Sequence, residues 1–329
     1  MLRPASIFRQ GRRWAGRVAR LSAVFWLVIF PSVAQSGTPQ FSSLTSRQGL
    51  SDNNINAFVQ DEFGFLWIAT EAGLNRYDGY GVETFTHGKY PEVLPDDEIV
   101  TMLLGPEHSL WMGTESGGLI LYDIATHRFR RIGYAENGTR TLDGRQLSSN
   151  TVHALALRGD RLFVGTEGGG LNVVDLMQES VAYYFVERGV STSLCHNEIK
   201  VMHMAKNGIL WLGTVDGLTR LDPETMLFQC YKRTPDDPHS LSNNEVVAIV
   251  EDKFGNLWLG TEGGGVNYLD VEQETFYRYV HDSSAPNSLS HNEVQAMLLD
   301  SSGQLWVGTV NGLNRLDADK NEFESYFYR

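Results

Sequence analysis

Six short segments of one pattern restrict the fold of this chain more than any bulk property does. The clearest is Asp252-Lys-Phe-Gly-Asn-Leu-Trp258-Leu-Gly-Thr261, with close copies ending in Trp67-Ile-Ala-Thr70 and Trp306-Val-Gly-Thr309. Looser copies centre on Trp111, on Trp211 and on Phe163, where Phe stands in place of Trp. The six aromatic anchors are 44, 52, 48, 47 and 48 residues apart. A period of that length means either a helical array or propeller blades. Of the seven Trp residues, only Trp14 and Trp26 lie outside the motif, both near the N-terminus.

The residues between the anchors decide between the two architectures. Each unit opens with a loop and a strand, as in Leu241-Ser-Asn-Asn-Glu-Val246 and Leu289-Ser-His-Asn-Glu-Val294. The Leu-Trp strand follows. After Gly-Thr comes a Gly-rich turn and a strand ending in Asp, such as Gly265 to Asp270. An aromatic strand such as Phe276 to Tyr279 closes the unit. The alternation has a period of two, and no 12-residue stretch carries a helical period. Four short strands joined by tight turns form an antiparallel meander, and a meander repeated at this period is a blade. The chain is therefore expected to be all-β, a β-propeller of six complete four-stranded blades. The units fall at about 47–90, 91–142, 143–190, 191–237, 238–285 and 286–329. The run 41–46 reads as one orphan N-terminal strand. Trp67, Trp111, Phe163, Trp211, Trp258 and Trp306 are expected to wedge between neighbouring blades.

The N-terminus has the composition of an export signal. Six Arg precede the apolar run Leu21 to Phe30, and Ser32 and Ala34 suit a signal peptidase, so residues 1–34 are expected to be removed and 35–329 to form the propeller. An uncleaved anchor is the alternative, although the run is short of the roughly 20 residues needed to span a bilayer. The chain carries a net charge of −13, which becomes −19 once those six Arg are removed. So acidic a surface disfavours nucleic acid and anionic lipid, and general solubility explains most of it. Cys195 and Cys230 are the only cysteines. Cys195 occupies a slot that other units fill with Ser or Pro, which favours two unpaired small residues over a disulfide.

Leu-Ser-x-Asn-x-Val, Asp-x-x-Gly-x-Leu-Trp-x-Gly-Thr and Gly-Leu-x-x-x-Asp in succession resemble the two-component regulator propeller repeat. The resemblance covers about residues 41–329. The third unit departs from it at Phe163 and Arg158-Gly-Asp160, and the second has Gly105-Pro-Glu-His-Ser109 where the Asp turn belongs. The resemblance implies the extracytoplasmic sensor region of a bacterial membrane receptor. It implies seven blades, then a small β-sandwich, a membrane helix and a kinase or cyclase output. With the orphan strand, it suggests an incomplete seven-bladed ring in a truncated or split receptor. A self-contained six-bladed ring is the alternative.

No catalytic signature stands out. Gly-x-Ser-x-Gly, the phosphate-loop motif and His-Glu-x-x-His are all absent. The Asp turn is one residue too long for a sialidase-type Asp box. His196-Asn-Glu198 and His291-Asn-Glu293 sit where propeller lyases place catalytic groups, but Asn243-Asn-Glu245 fills the same register. No enzyme activity, cofactor or metal is expected. In a meander blade the loop before the first strand and the loop after the second share one face. That places Asn54, Glu98, Glu198, Glu245 and Glu293 beside Glu71, Glu115, Glu167, Asp216, Glu262 and Asn311, as a polar ring at the channel mouth. Such a ring suits a small molecule or glycan, or a cation. The competing reading is a solvated rim inherited from a duplicated unit. A second propeller or a receptor partner is the other expected contact, with the membrane reached only through downstream sequence.

Overall fold

The computed structural model describes residues 41–88, 94–132, 144, 146–187 and 193–327, so the expected signal peptide lies outside the described residues. Among those residues, no helix is long and apolar enough to cross a membrane. Six sheets form the six blades of a β-propeller, each a meander of four consecutive antiparallel strands. The first and innermost strands are Ile55–Gln60, Ile99–Leu104, Val152–Arg158, Ile199–Met204, Val246–Glu251 and Val294–Leu299. The outermost are Val82–Phe85, Arg128–Ile132, Ser180–Tyr184, Leu227–Tyr231, Thr275–Tyr279 and Glu322–Tyr326.

The repeated motif builds each blade through a small set of polar contacts. In blade 1, Oδ1 of Asp61 accepts the amides of Phe63 and Phe65 at 3.0 and 2.9 Å, closing the first turn. Its Oδ2 accepts the Trp67 indole N–H at 2.9 Å, so one carboxylate sets both the turn and the wedge. The left-handed conformation of Gly64 completes that turn without a Cβ penalty. At the other end of the strand, Thr70 donates its hydroxyl to the carbonyl of Gly73 at 3.0 Å, and Thr261 does the same to Gly265 at 2.9 Å. These bonds satisfy backbone groups that the strand ladder leaves over.

A second clasp fixes the loops that lead into blades 1, 3, 5 and 6. The Ser148 amide donates to Oδ1 of Asn172 at 2.8 Å, and the Asn172 amide group returns a bond to Oγ of Ser148 at 2.8 Å. Ser51 with Asn75, Ser242 with Asn267 and Ser290 with Asn314 repeat it. Blade 4 has Cys195 and Thr219 in those two slots, and here the expectation of free cysteines is corrected. Cys195 and Cys230 form a disulfide, with Cα atoms 5.4 Å apart. Cys230 lies directly across the ladder from Thr219, in the slot that Ser325 and Thr84 occupy opposite Asn314 and Asn75. A covalent bond thus replaces the hydrogen-bonded chain used elsewhere.

Between blades the core is assembled from five hydrophobic clusters, each spanning one pair of neighbours. Trp67 meets Tyr122 of blade 2 edge-on at 5.6 Å. Trp111, Phe163, Trp211 and Trp258 take the same part at the next four interfaces. Backbone bonds run alongside: the amides of Gly118, Gly170, Gly217 and Gly265 donate to the carbonyls of Asn150, Asn197, Asn244 and Asn292 in the following blade. No cluster among the described residues joins blade 6 to blade 1. Trp306 packs on Tyr326 of its own blade and stays half-buried.

The orphan strand is a second correction. Residues 41–45 form no strand, and Ser46–Gln48 is a turn of 3-10 helix capped by Thr45. Even so, Ser46 donates its amide to Oδ1 of Asn53 at 2.8 Å. The amides of Val186, Arg233 and His281, just beyond three outermost strands, go to the matching Asn197, Asn244 and Asn292 at 2.6 Å. The chain therefore approaches blade 1 from the place where a fourth strand would end, without forming that strand.

Candidate functional site

The loops of one face bring the expected rim residues together in pairs within blades 1, 2 and 5. The Glu115 amide donates to the Glu98 carbonyl at 3.0 Å, and the Glu262 amide to the Glu245 carbonyl at 3.0 Å. Asn54 donates its side-chain amide to the Glu71 carboxylate at 2.9 Å. Glu262 also forms a single antiparallel bridge to Glu293 of the next blade.

The acids fall into two groups with different electrostatics. Glu71, Glu98 and Glu115 lie together at blades 1 and 2. Partial burial first, then Glu115 and Glu71, push the Glu98 carboxyl above the ordinary glutamate range. Around blades 3 to 5, Glu167, Glu198 and Glu245 act on Lys200, and Glu262 acts on Glu245. Burial raises the Glu245 carboxyl and Glu262 adds to it, while Lys200 works the other way. The Lys200 ammonium sits 2.6 Å from the Glu198 carboxylate, and that hydrogen bond holds Glu198 below its usual range.

Two expected members sit differently. Asp216 stands one residue beyond the position equivalent to Glu71, because Val215 is the residue whose amide meets the Glu198 carbonyl. Its carboxylate pairs with Lys232 at 2.5 Å and accepts from Asn244 at 2.8 Å, which ties it to the end of an outermost strand. Asn311 is likewise displaced by Val310, and its side chain donates to the Ser290 carbonyl at 3.4 Å. The two histidines are turn-formers. Nδ1 of His196 accepts the Glu198 amide at 3.0 Å, and Nδ1 of His291 accepts the Glu293 amide at 3.1 Å. Asn243 does the same for Glu245 with its Oδ1 at 2.9 Å, so the histidines fill a repeat slot. Among the described residues, no group of three or more His, Cys, Asp or Glu is placed to hold a metal ion.

Sequence reasoning missed the residues below the rim. Val100, His153, Lys200 and Val247, with Asn56, line a cavity of about 580 Å³ between the innermost strands of blades 1 to 5. The signal available was variation: between an Ile or Val before it and an Ala, Val or Thr after it, this one position changes chemistry from unit to unit.

The family model for the two component regulator propeller matches residues 49–72, 240–263 and 288–311. These are the leading-loop-to-Thr segments of blades 1, 5 and 6. Among solved structures, the chain is similar to the extracellular domain of the putative hybrid two component system BT3049 from B. thetaiotaomicron. The identity is 25% and the TM-score 0.70, covering 88% of this chain and 36% of that one. The corresponding domain of BT4673 from the same organism matches at 25% identity and a TM-score of 0.66, over 84% and 33%. A catalytically inactive virginiamycin B lyase from Staphylococcus aureus shares the fold at 11% identity and a TM-score of 0.61, over 84% and 85%. The chain thus spans about a third of the two-component structures it matches. Blades 1, 5 and 6 each carry a segment that matches the two component regulator propeller model.

Proposed function

We propose that this chain is the extracytoplasmic ligand-sensing propeller of a two-component-type receptor, exported to the periplasm, which binds its ligand without turning it over. The observation that carries this reading is the asymmetry of the propeller. One face gathers carboxylates whose positions are fixed by backbone bonds, and there burial first and then neighbouring carboxylates raise Glu98 and Glu245. Holding like charges together costs free energy unless something uses them, and a ligand with hydroxyl groups or a cation would. Signalling then requires that the ligand favour one arrangement of the receptor over another. The unpaired faces of blades 1 and 6 support a ring one blade short of closure, with the remaining blade and the output region supplied elsewhere. The alternative of a periplasmic interaction scaffold rests on those same faces.

The test is a thermal-shift and calorimetric screen of the full chain against neutral oligosaccharides and divalent cations. One class should raise the melting temperature, and Glu98→Gln and Glu245→Gln should remove the gain while leaving the unliganded melt in place. Chemical conversion of the bound ligand would overturn the proposal, and so would stabilisation that ignores both substitutions. Silence across the whole screen would favour the scaffold.

A further inference from the structure

The outermost strands meet by one rule at four of the five interfaces between blades and depart from it at the fifth. Phe85, Tyr184, Tyr231 and Tyr279 hold equivalent ladder positions near the end of their strands. Each meets a phenylalanine of the next blade, at Phe129, Phe228, Phe276 and Phe323, with ring centroids 6.4, 5.7, 5.9 and 6.1 Å apart. These aromatic pairs fill the outer part of the interface. Between blades 2 and 3 the same two positions hold Ile132 and Val181. Behind them, Val174 stands where Tyr122, Leu221 and Leu269 stand elsewhere. Three smaller side chains at one level leave a groove of about 500 Å³, walled by Ile132, Val174, Val181 and Trp111. That lies within the roughly 300–1,000 Å³ usual for ligand sites.

The filled interface between blades 4 and 5 shows what the groove lacks. There Tyr231 donates its hydroxyl to Oε1 of Glu274 at 2.8 Å, and Gln229 donates to the same oxygen at 3.1 Å. Glu179 is the counterpart of Glu274, at the same left-handed place in the turn before the outermost strand. Arg130 is the counterpart of Gln229. Its guanidinium lies 3.8 Å from the Glu179 carboxylate, but Ile132 has no hydroxyl to add. The side chains of Arg130 and Glu179 are 62% and 79% exposed, so both are within reach of a ligand. A carboxylate has lone pairs left to accept a phenol O–H, and a guanidinium can cover the face of the ring. Arg130 and Arg131 on the rim are balanced by Asp175 and Glu179, which favours a neutral ring over a charged one. The outer edge of the strand Arg128–Ile132 pairs with no other strand among the described residues, so an extended chain can run beside the groove.

We propose that this outer groove is a docking site for a tyrosine side chain of a partner polypeptide, its ring lodged over Ile132 and its hydroxyl donating to Glu179. The partner supplies from outside the ring that the other blades supply from within, so the site continues the interface of blades 2 and 3. It stands apart from the acidic rim and does not depend on the sensor reading. The test labels the isoleucine methyls of the full chain with ¹³C and identifies the Ile132 signal with Ile132→Leu. The capped tripeptide Ser-Tyr-Ser should move that signal through the ring current. Calorimetry should find capped Ser-Phe-Ser about tenfold weaker, the worth of one hydrogen bond to a charged acceptor. Glu179→Met should bring Ser-Tyr-Ser down to the level of Ser-Phe-Ser, and Met226 shows that methionine is accepted at that place in blade 4. Ile132→Tyr fills the groove as the other blades do, and should abolish binding without lowering the melting temperature. Glu179→Met keeps the proposal falsifiable should Ile132→Tyr fail to fold. An unmoved Ile132 signal, equal affinities for the two tripeptides, or undiminished binding in Ile132→Tyr overturns the inference. Equal affinity for p-cresol overturns the polypeptide partner in favour of a free phenol. Binding seen only in Tyr134→Ala overturns it in favour of the chain's own Tyr134, which lies outside the described residues.

Discussion

The interface between blades 2 and 3 and the seam between blades 6 and 1 are written in nearly the same residues but are different places. At the first, a Cβ on Gly113 would lie 2.5 Å from the Val152 side chain of the next blade. Gly165, Gly213 and Gly260 are covered in the same way by Ile199, Val246 and Val294. A Cβ on Gly308 would meet only Ala296 of its own blade, at 3.7 Å. The residue that would cover it is Ile55, which is 46% exposed, whereas Ile99, Val152, Ile199 and Val246 are at 0%. Phe58 is 62% exposed where Met102 and Leu155 are at 7%. The lesson is that glycine in Trp-x-Gly-Thr serves close approach between sheets, and at the seam nothing approaches.

Removing the wedges should give the largest effect. Trp67→Ala should destabilise the chain by about 3–5 kcal/mol, because it empties a fully buried site between two sheets. Trp306→Ala should cost clearly less, since that ring already meets solvent on one side. Urea unfolding of both variants checks this, and equal losses would mean that the seam closes in solution. Next comes the glycine pair. Gly113→Ala forces a methyl into Val152 and should cost about 1–3 kcal/mol, while Gly308→Ala should be close to neutral. A substantial loss at Gly308 would place a further sheet against blade 6.

The smallest expected effect separates by pH. Hydrogen bonds from the Ser302 hydroxyl, the Trp306 indole and the Gln304 amide hold the Asp300 carboxyl down at about 2. A carboxyl with a lowered folded-state pKa contributes stability above its unfolded value of ~3.9, and that contribution is lost as pH falls toward 2. Trp306 fluorescence should report a local acid transition in that window, and Asp300→Asn should abolish it. Persistence of the transition in the variant would assign it to another group.

Much of the fold was legible because it is encoded locally and repeatedly. Period-two alternation, tight-turn glycines and the anchors located the strands of all six blades. The motif's Asp was legible as a turn-former, but its second oxygen on the Trp67 indole depends on how the strand folds back. The rim pairs followed from meander topology. Asp216 and Asn311 did not, because a one-residue offset in the loop hands the channel-side position to Val215 and Val310. The ladder skips in the innermost strands, at Asn56, Val100, His153, Lys200 and Val247, were invisible as geometry, since a skipped ladder residue leaves no mark in composition. The disulfide was missed because Cys195 and Cys230 are 35 residues apart and meet only when the leading loop folds over the outermost strand.

By itself the sequence determined the repeating unit, its all-β character and the six anchors, because strand periodicity and turn chemistry act over a few residues. Only the tertiary structure decided what each copy became. Trp67 and Trp306 stand in matching motifs, yet one is sealed by a neighbouring sheet and the other faces a gap. Burial belongs to the neighbour as much as to the residue, and a repeat cannot encode how many neighbours it will have.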